Sequence, residues 1–146
     1  MGGATAFRWS DAWLLGAIFW ARRAEERVTL AQIIGWGDAM NHAVFTPEEL
    51  ESGLARLSAA GLIVEQDDAF LPAGRAVEWG DELQSSSLGG VDTIRWLEKK
   101  LGAKPYRPGY ERTLDARYPG FTRQRYDAAV NGYELRAAQV LRDLGL

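Results

Sequence analysis

The residues able to do chemistry in this chain of 146 are few, and their types exclude most of it. There is no Cys, which removes thiol nucleophiles, disulfides and the usual structural zinc sites. His42 is the single His and the one side chain with an unperturbed pKa near neutrality. Asp38, four residues earlier, could orient it as a base, but no Cys exists and no Ser stands in a nucleophile-elbow sequence. A turn or capping histidine is the better reading. Glu48, Glu49 and Glu51 cannot all face one side of a helix, so they form no carboxylate cage for a metal. Gly35-Trp36-Gly37 and Gly89-Gly90 lack a phosphate-loop pattern. No enzyme, no cofactor and no metal site is predicted.

What remains is charge, and it is split along the chain. Overall there are 17 Lys+Arg against 20 Asp+Glu, a net of −3. Residues 1–98 hold 7 cations and 15 anions, net −8, whereas residues 99–146 hold 10 and 5, net +5. Such asymmetry implies an acidic partner for the basic end or contact between the two halves. The basic stretch runs Lys99, Lys100, Lys104, Arg107, Arg112, Arg117, Arg123 and Arg125, interleaved with Tyr106, Tyr110, Tyr118 and Phe121. Alternating cations and aromatics can bind single-stranded nucleic acid. The plainer reading has the aromatics anchoring a connector while the cations stay wet. A third reading lays this basic arm across an acidic face, in the same chain or in a dimer mate.

The elements that must hold these groups are mostly helical. Ser10 and Asp11 open a helix whose Ala12 to Ala21 are apolar nearly all round, so its own domain or a second subunit must cover it. That run is about half the roughly 20 residues a membrane span needs, and no signal peptide precedes it, so a cytoplasmic protein without membrane contact is expected. Thr29 caps a second helix, Leu30 to about Met40, weakened by Gly35 and Gly37. Thr46-Pro47-Glu48-Glu49 is the sharpest helix start: capping Thr, Pro at the first position, Glu three residues after the cap. The helix it begins buries Leu50, Leu54 and Leu57 and stops at Gly61. Residues 62–65 and 69–71 read as the strands of a hairpin turning at 66–68. Two further helices follow, one from Pro72-Ala73-Gly74-Arg75 and one over 91–101. Prolines 105, 108 and 119 interrupt the connector beyond. The last helix, 122–144, carries Tyr126, Val130, Tyr133, Ala137, Val140 and Leu144 at spacings of four and three, a seam for one partner helix. The six Trp are expected in core packing or dimer burial, with a Trp-lined ligand pocket as the sharper alternative.

Residues 10–78 resemble a winged helix-turn-helix domain of the MarR- and PadR-type bacterial regulators. The likeness rests on Leu50…Leu54-Ala55-Arg56-Leu57…Gly61-Leu62-Ile63 followed by Phe70-Leu71-Pro72-Ala73-Gly74-Arg75-Ala76, with Pro72 where those families have Thr. The resemblance implies a mainly α fold: a winged helix-turn-helix (three helices plus a β-hairpin wing) over 8–85 and a helical C-terminal extension over 86–146. It also implies a third helix entering duplex DNA, a wing on the backbone, and homodimerisation through the terminal helices.

The candidate contact residues follow: Thr46, Glu49, Ser52 and Arg56 toward a groove, Arg75 near the wing, and Lys99, Lys100 and Lys104 on the basic arm. Tyr126, Val130, Tyr133, Ala137, Val140 and Leu144 are the candidate dimer seam. The third helix, however, carries Glu48, Glu49 and Glu51 against one cation, Arg56, and the wing adds Glu65, Asp67 and Asp68. Duplex affinity comes largely from cations on phosphates, so this face is repelled by the backbone it must approach. Two functions therefore stand: a transcription-regulator-like DNA binder, or a winged-helix protein-interaction module without DNA binding, its protein partner on the acidic face or the basic connector.

Overall fold

A computed structural model describes residues 7–103 and 117–145, and it is mainly helical. The order is α1 (Trp9–Ala24), α2 (Leu30–Asn41), α3 (Pro47–Ala59), β1 (Ile63–Gln66), β2 (Ala69–Pro72), α4 (Arg75–Gln84), α5 (Gly90–Leu101) and α6 (Arg123–Asp143). α1 is the axis. Its residues from Ser10 to Phe19 are all buried, enclosed by α2, α3 and α5 of the same chain. The cover that an all-round apolar helix demands is thus supplied internally from Ser10 to Phe19. Leu14, Leu15 and Ile18 are wholly enclosed, each stabilising the fold by about 1.5–3 kcal/mol through apolar burial.

Local signals explain the helix starts. Thr46 accepts from the Glu49 N–H at 3.1 Å while Glu49 accepts from the Thr46 N–H at 2.8 Å, a reciprocal cap behind Pro47. Gln32 accepts from the Thr29 N–H at 2.7 Å and closes the start of α2. α1 departs from expectation. It begins at Trp9, and Asp11, not Ser10, takes the first free N–H, that of Arg8, at 2.8 Å. A carboxylate two residues inside the helix reaches that donor, whereas Ser10 already lies within the helix.

The hairpin turns one residue later than predicted. Ile63 pairs with Pro72 and Gln66 with Ala69, leaving the two-residue turn Asp67-Asp68. Both have positive φ, 53° and 64°, as a tight hairpin turn requires. The Phe70 N–H also donates to the Val28 carbonyl at 2.8 Å, so the segment between α1 and α2 lies along the outer side of β2. α5, grouped with the extension in the sequence, places Ile94 and Leu97 in the same core as α1. Trp13 stacks on Phe45 in the core and donates to the Gly37 carbonyl at 2.9 Å, while the half-buried Trp20 and Trp36 meet edge-on against that core. No helix among the described residues is long and apolar enough to cross a membrane.

One charged contact lies inside this core. Arg56 donates to both carboxylate oxygens of Asp11, Nε to Oδ2 at 2.7 Å and Nη2 to Oδ1 at 3.1 Å, with Asp11 completely buried. Burial pushes the Asp11 carboxyl above its ordinary range, against the lowering pull of Arg56. Removing either partner leaves the other charge buried alone. Asp11→Leu or Arg56→Leu should each cost about 3–5 kcal/mol in urea unfolding. The double variant Asp11→Leu/Arg56→Leu should recover most of that loss, and strict additivity of the two single costs would refute the pairing.

Candidate functional site

The face that matters is the outer side of α3 with the hairpin beside it. Arg56 does not reach it: predicted to point at a groove, it is 6% exposed and bound to Asp11. Ser52 is buried as well, and Glu49 is turned back into its cap. These are corrections to the predicted groove-facing set, of which only Thr46 lies at the surface. The cause is Gly53. A Cβ there would stand 2.6 Å from Leu14 Cδ2 and 3.1 Å from Asp11 Oδ1, so α3 presses its backbone against α1. Close approach at Gly53 encloses Ser52 and Arg56 on either side of it. The buried stripe of α3 is therefore wider than Leu50, Leu54 and Leu57 alone. A Gly amid good helix formers was the available sign.

The outer face of α3 is left with Thr46, Glu48, Ala59 and Ala60 exposed, and Pro47, Glu51, Ala55 and Ser58 half-buried. Among the described residues of α3 no cation is exposed.

The segment from Arg117 into α6 lies across this acidic surface. Arg117 reaches Glu51 at 3.2 Å. The Tyr118 hydroxyl donates to Glu65 at 2.8 Å, and its ring tilts over Phe70 with centroids 6.1 Å apart. Arg125 pairs with the other oxygen of Glu65 and comes within 4.0 Å of Asp68. Tyr126 donates to the Phe45 carbonyl at 2.5 Å, just before Thr46. Two readings of the basic arm are each seen in part: Tyr118 and Phe121 anchor it on the core, and Arg117 and Arg125 meet acids of α3 and the hairpin, while Tyr106, Arg107, Tyr110 and Arg112 lie outside the described residues. Lys104 lies outside the described residues. Lys100 sits 3.7 Å from Glu82 and above the Trp96 ring, while Lys99 and Arg75 are exposed on α5 and α4.

α6 docks antiparallel on α2. Tyr133 donates to Asp38 and packs against Gly35, where a Cβ would come within 3.0 Å of the ring. Further along, Gly132 meets Ala31, and Arg136 comes within 3.9 Å of Glu25. Tyr126, Val130 and Tyr133, half of the predicted dimer seam, thus pack on the core of their own chain, Tyr133 against α2 and Tyr126 beyond its end at Phe45. Ala137 is half-buried, and Val140 and Leu144 are exposed. His42 ends α2 in the left-handed conformation, φ 56°, with its N–H on the Asp38 carbonyl at 2.7 Å, while the Asp38 carboxylate is taken by Tyr133.

A shallow depression of about 220 Å³ lies between the end of α1 and α4, lined by Phe19, Arg22, Arg23, Val77, Asp81 and neighbours, with no Trp. No cluster of metal-ligating side chains occurs among the described residues. Comparison with family models, with curated proteins and with solved structures finds no match to this chain.

The three phenols that hold the C-terminal segment are all harder to ionise than a free one, Tyr126 chiefly through burial. Tyr118 is pushed up to about 12 by burial and then by its bond to Glu65, and Tyr133 to about 12 by its bond to Asp38 and then by burial. Their contribution to stability is present in full below pH 10.0, the ordinary value, and is lost as pH rises through about 12. A spectrophotometric titration should show late-ionising tyrosines, one fewer in Tyr118→Phe and one fewer in Tyr133→Phe. Ordinary titration of both would mean that the segment does not stay docked.

Proposed function

We propose that this chain is a winged-helix module that works through protein contact and does not read duplex DNA with α3. The order helix, short extended segment at Val28, two helices and a hairpin supports the winged-helix reading. A single observation carries the functional one: the outward face of α3 has no exposed cation among its described residues, and Arg117, Tyr118 and Arg125 cover the acids beside it. Groove entry needs a cationic, accessible helix, and this one is acidic and partly occupied. Lifting the covering segment would add to the face's negative charge, so the segment is not a guard over a hidden DNA-reading surface. The reading assigns no catalytic role and no cofactor to the chain.

Titration of labelled mixed-sequence duplex at low salt tests this. The expected result is no binding that weakens steeply as salt is added. Steeply salt-dependent binding would overturn the proposal and restore the regulator reading, with the basic C-terminal half supplying the phosphate contacts.

A further inference from the structure

The face of α6 that rests on α2 does not end where α2 ends. At 100° per residue, Tyr126, Val130 and Tyr133 share one side of the helix with Ala137, Val140, Leu141 and Leu144. The first three are packed on the core, but Val140, Leu141 and Leu144 are 49%, 49% and 67% exposed. α2 begins at Leu30, near Gly132, so the last two turns of α6 run on past it. One stripe is thus half covered by its own chain and half bare.

We propose that this bare half pairs antiparallel with the same segment of a second copy of the chain. Two observations select that occupant. The first is charge. Central layers that set Ala137 against Val140 of the second copy, and the reverse, bring Arg136 opposite Asp143 twice by symmetry, because the same flank of each helix meets in an antiparallel pair. Both side chains lie on the same flank of the stripe and are exposed, Arg136 at 67% with Glu25 a distant 3.9 Å away. A parallel pair would not join these two charges. The second is direction. α2 runs antiparallel to α6, so an antiparallel second α6 continues the line of α2. Its C-terminal end, carrying partial negative charge, then meets the partly positive N-terminal end of α2. The proposal is independent of what α3 does, since it uses a different surface.

Sedimentation of the full chain over a range of concentrations tests it. The wild type is expected to dimerise reversibly, and Val140→Asp to be monomeric with unchanged helical circular dichroism, since Val140 is outside the core. Arg136→Asp and Asp143→Arg should each be monomeric, because each homodimer would set like charges together twice. Their mixture should form a heterodimer, because both opposite-charge contacts return. A wild type that is monomeric throughout would overturn the proposal. So would a dimer indifferent to Val140→Asp, or a mixture that stays monomeric. The DNA titration can fail without touching any of these outcomes.

Discussion

The buried pairing of Asp11 with Arg56 is the constraint around which the rest is arranged. It joins the first turn of the central helix to the helix that would otherwise face outward, and it does so with both ions desolvated. Such a pair is tolerated only with close geometry and satisfied oxygens. Here Asp11 also accepts the Arg8 N–H, and Gly53 lets the two backbones come close enough for the guanidinium to reach both oxygens. Spending the one cation of α3 inside the core removes it from the surface. The acidic outer face is a direct result, and so is the opportunity for Arg117 and Arg125 to bind there.

The two halves of the chain are consequently complementary in charge and in structure. The N-terminal part forms a core through α5 and exposes acids; the C-terminal part brings cations and phenols and rests on them. The contacts are half-exposed, so each ion pair contributes little by itself, on the order of 1 kcal/mol or less. Tyr118, Tyr126 and Tyr133 do more to fix the arrangement, since each adds ring packing to a directed hydrogen bond.

Much of the architecture was readable from the chain. Thr46-Pro47 with Glu49, Thr29 with Gln32, and the spacing of Leu50, Leu54 and Leu57 are local signals with local causes, and the helices they predict are present. The charge imbalance left open an acidic partner for the basic end or contact between the halves, and Arg117 and Arg125 make contacts of the second kind. The direction of Arg56 was not readable, because periodicity assigns a cation to the wet side and the approach of α1 at Gly53 is a tertiary fact. The seam of α6 was legible as a seam, but spacing cannot say what fills it, and Tyr126, Val130 and Tyr133 pack on the core of their own chain. The hairpin was a residue out of place because Gln66, Asp67 and Asp68 all suit a turn, and only the pairing of Gln66 with Ala69 decides between them.

None of the described residues of α6 is buried, and the buried core it rests on is built from the elements through α5. A helix held only at half-buried contacts is expected to open at a lower free energy than α1 and its neighbours, by lifting away in a sub-global opening. Amide protons of α6 would exchange through that partial opening, long before those of α1, which await complete unfolding. Each such opening bares the flank of α2 around Gly35, which Tyr133 otherwise covers. How often it opens would then depend on Tyr118, Tyr126 and Tyr133, which hold α6 and the segment before it.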